Sequence, residues 1–127
     1  MTQVLLIPVK SNHEKLQKIV EIATHYFDKN EKITFLVENE MSASYIDKLL
    51  WSSPKESFLP HGGELISILQ VLPTETQTIF NLTSEPLTDI ERGTIYEFDD
   101  QTSEHKQQAF KTRYSAYKAK RFSIALQ

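Results

Sequence analysis

Four consecutive apolar residues, Val4-Leu5-Leu6-Ile7, constrain the fold more than any other stretch. A strand with one wet face would alternate. An unbroken run closed by Pro8 reads as a strand buried on both faces, the kind found inside a mostly parallel sheet. The next segments agree. Ser11-x-x-Glu14 has the form of a capping box, and Leu16, Ile19, Val20, Ala23 and Phe27 recur at helical spacing up to Asp28-Lys29-Asn30. Ile33 to Val37 is a second apolar, β-branched run, so strand, helix and strand follow one another at lengths typical of a right-handed βαβ unit. Asn39 is placed to cap a further helix in which Ile46, Leu49 and Leu50 share a stripe. Pro54 lacks the N–H that another turn would need, so Trp51 stands at the helix end.

Leu65 to Leu72 and Thr78 to Leu82 read as strands separated only by Pro73-Thr74-Glu75-Thr76-Gln77. Five residues are too few for a parallel crossover, so the pair is expected to form an antiparallel hairpin and the sheet to be mixed. Leu87 and Ile90 suggest one short surface turn of helix ended by Gly93, and Thr94 to Phe98 reads as the last strand. Thr102 or Ser103 caps a final helix, with Phe110, Tyr114 and Tyr117 on a stripe that can pack on the sheet and Lys111, Ser115 and Lys118 on the neighbouring face. Helices are expected near residues 12 to 28, 40 to 51 and 103 to 119. The expectation is a single α/β domain over residues 1–127, a mixed, mostly parallel sheet flanked by helices, Rossmann-like without a phosphate-binding loop. Gly62-Gly63 precedes a strand rather than opening a helix, and no phosphate-cradling glycine motif is present.

The function classes narrow by elimination. The absence of cysteine removes disulfides, thiolate zinc sites and a cysteine nucleophile. None of the four histidines has a second ligand at metal spacing, so no metal or cofactor is expected. Asp99-Asp100 reads as a solvated strand end, because adjacent strand residues point to opposite sides. No positioned acid and base pair stands out, and no catalytic site is expected. The lack of cysteine also agrees with a reducing compartment, so the cytoplasm is expected, and no stretch approaches the ~20 apolar residues of a membrane span, which predicts a soluble protein. The formal charge of −3 hides an asymmetry: residues 1–105 carry 8 basic and 17 acidic side chains, and residues 106–127 carry 6 basic and none acidic.

Two stretches are candidates for binding. Trp51, Phe58, Leu59 and Pro60 lie in a loop stiffened by Pro54 and Pro60. Such side chains either cap the core or anchor a partner. In the basic C-terminal helix, Tyr114 and Tyr117 stand beside Lys111, Arg113 and Lys118, so it reads as a solvated face, a phosphate-binding face, or an apolar cup rimmed with cations for an acidic peptide.

The string Leu50-Trp51-x-x-Pro54-x-Glu56-Ser57-Phe58-Leu59-Pro60-His61 resembles the central signature of the chi subunit of bacterial DNA polymerase III, a clamp-loader accessory protein. Arg113-Tyr114-x-Ala116-Tyr117-Lys118 followed by Phe122 is similar to that family's closing helix and tail. The resemblance implies a non-catalytic adaptor in DNA replication. Trp51, Phe58, Leu59 and Pro60 would dock the psi subunit, or a helicase using the same face. Lys111, Arg113, Tyr114, Ser115 and Lys118 would hold the acidic C-terminal tail of single-stranded DNA-binding protein, with nucleic acid reached only indirectly. Lys111 stands where family members commonly have an Arg, Ser115 replaces a Lys, and Asp99-Asp100 replaces apolar residues, which implies a weaker grip or a different partner. Two alternatives stand beside it. A small α/β enzyme would show a perturbed carboxylate cluster near Asp99, and direct nucleic-acid binding by the basic helix is disfavoured by the acidic bulk.

Overall fold

A computed structural model describes residues 2–52 and 65–127, the side chains of Trp51 and Ser52 excepted. In chain order the elements are β1 (Thr2–Val9), α1 (Asn12–Asp28), β2 (Ile33–Leu36), α2 (Glu40–Ser52), β3 (Ile66–Leu69), β4 (Thr78–Asn81), β5 (Gly93–Asp100), α3 (Glu104–Ala119) and β6 (Ser123–Leu126). The strands form one sheet in the order β3-β2-β4-β5-β1-β6, and every pairing is parallel.

Local chemistry sets the helix starts. The Ser11 hydroxyl oxygen accepts from the Glu14 N–H at 3.2 Å, while the Glu14 carboxylate accepts from the Lys10 N–H at 2.9 Å, one residue earlier than in the usual capping box. Asn39 Oδ1 accepts from the Ser42 N–H at 2.8 Å, and Ser103 Oγ from the Lys106 N–H at 3.2 Å.

Crossover handedness explains the layers. The connections β1-α1-β2 and β2-α2-β3 move toward one edge and β5-α3-β6 toward the other, so right-handed crossovers put α1 and α2 on one face and α3 on the opposite face. Two cores follow. The first joins Ile19, Ile22 and Ala23 of α1 and Ile46 and Leu50 of α2 to Ile7, Val9, Phe35, Phe80 and Phe98 of the sheet. In it Phe35, Phe80 and Tyr96 stand in register on adjacent strands, their rings stacked 5.5 and 5.7 Å apart. The second core packs Phe110 and Tyr117 of α3 on Val4, Leu6 and Ile95. The first strand is thus buried on both faces, as its unbroken apolar run predicts.

Three expectations need correction. β3 and β4 are not a hairpin, because both lie parallel to β2, one on each side. The strands are only four residues long, about 13 Å at the usual rise, so the short link can return along that length and pass β2 without a helix. A sixth strand, Ser123–Leu126, follows the one expected to be last, and it pairs with β1. Leu87 and Ile90 form no helical turn and instead pack into the α3-side core.

Gly93 opens β5 rather than ending a helix. Its φ is +132°, and an added Cβ would lie 2.1 Å from the Gln77 carbonyl oxygen, the atom that accepts the Thr94 N–H at 2.7 Å. Pro8 also has a defined place within the sheet. Leu6 turns its carbonyl toward β6, where it accepts from Gln127 at 2.9 Å, so Pro8, two residues on, turns its nitrogen to the same side. The β1–β6 ladder ends at the Leu6–Leu126 pair, so the missing N–H interrupts no pairing.

Candidate functional site: the two flanks of the last helix

The last helix presents different chemistry on its two sides. Phe110, Arg113 and Tyr117 are its buried residues. Glu97, at the middle of β5, is 0% exposed and faces them. Its Oε1 accepts from Arg113 Nε at 2.9 Å, and its Oε2 accepts from Asn81 Nδ2 at 2.6 Å and from the Tyr117 hydroxyl. The Tyr117 oxygen in turn accepts the Leu87 N–H at 3.1 Å, so the proton it donates is committed to Glu97. Burial pushes the Glu97 carboxyl upward, opposed by the Arg113 charge and by the bonds from Tyr117, Asn81 and Arg113. The Arg113 charge and the three donated bonds favour the carboxylate form against that burial. Burial, then the Glu97 charge and hydrogen bond, pushes Tyr117 well above the ordinary tyrosine value.

This network alters the expected binding set. Arg113 was expected among the rim cations for an acidic tail, yet it is 6% exposed and ion-paired inside. Tyr117, expected to help line the cup, is buried as well. The other flank remains open. A step of one residue is about 100° around a helix, so Tyr114 leans away from Glu97 toward the β1–β6 side. Tyr114 is half-buried, its ring centroid 5.9 Å from that of Phe110, with Lys118 Nζ 5.6 Å above its face. Lys111, Ser115 and Lys118 are exposed. Of the five residues expected here, three form this flank around Lys111, Tyr114 and Lys118, Ser115 lies next to Lys111 on the solvent side, and Arg113 serves the interior. Trp51 sits in the last turn of α2, and Phe58, Leu59 and Pro60 lie outside the described residues.

A crevice of about 230 Å³ opens at the carboxyl ends of β4 and β5, lined by Lys15, Glu38, Ser84, Asp100, Lys106 and Arg113 among others. It adjoins the switch point between β1 and β5, whose following helices go to opposite faces, the place where open α/β sheets commonly hold ligands. Its carboxylates have partners already. Asp100, expected to be solvated, is 5% exposed and bound by Lys15 Nζ at 2.7 Å and by the Thr102 hydroxyl and N–H at 2.6 and 3.0 Å. Burial raises its pKa, but the bonds from Lys15 and Thr102 and the Lys15 charge outweigh it and hold the carboxyl below the ordinary range. Glu38 is lowered by the Ser84 hydroxyl and N–H, against a smaller effect of burial, with help from the Lys106 and Arg113 charges. Both are held ionised, so neither is poised as a general acid near neutral pH. Among the described residues no group of three or more His, Cys, Asp or Glu could hold a metal ion, and no helix is long and apolar enough to cross a membrane.

The family model for the DNA polymerase III chi subunit, HolC, matches residues 1–125. This chain belongs to that family. No curated protein matches it. The chi family is an accessory part of the replicative polymerase, so the chain's role is an accessory one in DNA replication, alongside other replication proteins. The interior network of this chi-family chain was missed by sequence reasoning. Its signal was a lone Glu inside the apolar run Ile95-Tyr96-Glu97-Phe98, with Arg113 and Tyr117 one helical turn apart to meet it.

Proposed function

We propose that this chi-family chain is a non-catalytic cytoplasmic adaptor with two docking faces. The open flank of α3 takes the acidic C-terminal tail of single-stranded DNA-binding protein, and the stretch Trp51, Phe58, Leu59 and Pro60 docks the psi subunit or a helicase. The observation that carries the reading is the Lys111–Tyr114–Lys118 flank: a half-buried ring with an ammonium 5.6 Å above it, in a segment with 6 cations and no acid. Such a surface can seat a terminal aromatic ring and its carboxylate while attracting the acids before them. Nucleic acid is reached through the bound protein.

An acidic peptide ending in Pro-Phe with a free carboxylate tests the first face. Binding is expected at a roughly micromolar Kd, about 7–8 kcal/mol, and should weaken with salt. Lys111→Glu should remove most of it, while Tyr114→Ala should weaken it with little change in salt dependence. Equal binding of the C-terminally amidated peptide, or indifference to Lys111→Glu, would reduce this flank to a solvated face. For the second face, Phe58→Ala should lose the copurifying psi or helicase partner at nearly unchanged Tm; a core Phe would instead cost about 3–5 kcal/mol.

A further inference from the structure

We propose that the outer edge of β6 receives an extended acidic segment as a seventh strand, next to the Lys111–Tyr114–Lys118 flank. The inference rests on the tail-binding reading above and adds how the peptide backbone is held. Among the described residues, β6 is the last strand on its side of the sheet. The Gln127 N–H turns inward to the Leu6 carbonyl at 2.9 Å. In a parallel ladder a residue's N–H and C=O point to the same side and alternate along the strand, so Ser123 and Ala125 also face β1. Ile124 and Leu126 therefore turn their N–H and C=O groups outward, where no strand meets them among the described residues.

Natural edges of this kind are blunted by Lys, Pro or a bulge. β6 reads Ser-Ile-Ala-Leu, without charge or proline, and Leu126 is 71% exposed. Charge and proline are absent from the strand, which is guarded only by its four-residue length, while cations crowd around it. Lys120 and Arg121 are exposed just before it, and Lys111 and Lys118 stand on the helix flank that leans the same way. That arrangement favours an acidic strand over a neutral or basic one. Phe122 and Ile124 pack into the α3-side core, so alternate side chains of an added strand would fall on the same face as Tyr114.

The test uses the full chain and the acidic Pro-Phe peptide, with single backbone N-methyl groups placed along the peptide. N-methylation should weaken binding about tenfold or more at every second residue and little between, because only one edge of an added strand faces β6. Leu126→Pro, which removes an outward N–H but no ladder bond, should weaken binding by at least about fivefold with Tm unchanged. If Tm falls, the N-methyl pattern alone decides. Lys111-dependent binding with no alternation, and undiminished by Leu126→Pro, would overturn strand addition and leave the tail-binding reading intact. Failure of the unmodified peptide to bind would overturn both. A dimer that Leu126→Pro converts to monomer, with peptide binding unaffected, would assign the edge to a second copy and refute the proposal.

Discussion

Arg113→Met should separate stability from binding. The substitution removes the Nε–H that donates to Glu97 Oε1 at 2.9 Å inside a fully buried site. Breaking a buried ion pair on one side costs about 3–5 kcal/mol, because the remaining charge is uncompensated. Glu97 keeps Asn81 Nδ2 at 2.6 Å and the Tyr117 hydroxyl, which places the loss near the lower end, about 3 kcal/mol. For 127 residues, about 2.1 cal/mol/K per residue gives an unfolding entropy of about 0.27 kcal/mol/K, hence a Tm lower by about 11 °C. The pH dependence has a defined sign. Burial already raises Glu97, and without Arg113 its folded pKa rises further above the unfolded value, so the penalty is present above the folded pKa and fades as pH falls through it. Melts followed by far-UV circular dichroism from pH 7.5 to 4.5 should show the variant's deficit shrinking in acid, and adding Glu97→Gln should recover at least about 1 kcal/mol at pH 7. Affinity for the acidic peptide should stay within about twofold of wild type, because Tyr117 still ties the helix to Glu97 and to the Leu87 N–H. A variant with unchanged Tm and abolished binding would refute the interior assignment of Arg113.

Two further substitutions probe the frame that carries the site. Lys15→Met should destabilise by about 1–2 kcal/mol at pH 7. Asp100 is lowered in the folded protein, so that difference, read from urea midpoints, should persist above the ordinary Asp value of about 3.9 and vanish as pH falls through the folded value; a constant difference down to pH 2.5 would dissociate the pair from stability. Gly93→Ala should cost more than about 3 kcal/mol, since positive φ alone costs about 1–3 and the new Cβ meets the Gln77 carbonyl oxygen at 2.1 Å. A Tm within 2–3 °C of wild type would show that the β4–β5 connection yields easily.

Local signals carried most of the fold. The three helices begin within one residue of their expected positions because Ser11, Asn39 and Ser103 cap them through their own side chains. Strand pairing was less legible. The antiparallel expectation for β3 and β4 assumed that sequence neighbours pair, whereas β2 lies between them. β6 was hidden because Ser-Ile-Ala-Leu is too short and mild to announce itself beside a helical segment. At the site, Lys111, Tyr114 and Lys118 could be placed together by helical spacing alone. Arg113 could not be assigned to the interior, because its spacing suits either duty and its partner Glu97 lies on another element.

The same geometry explains why one flank of α3 is free to bind. The helix is the only one on its face among the described residues, and its rotation about its own axis is fixed by directional bonds rather than by apolar packing alone. Arg113 and Tyr117 both end on Glu97, and Tyr117 also receives the Leu87 N–H. A rotation that buried Tyr114 would pull Arg113 off a fully buried carboxylate. Tyr114, Lys111 and Lys118 are thus held toward the β1–β6 side by bonds made on the other flank of the helix, with the Phe110–Tyr114 and Lys118–Tyr114 contacts adding to them. That is preorganisation: the ordering cost falls on folding rather than on association, and more of the interaction with an acidic segment appears as affinity.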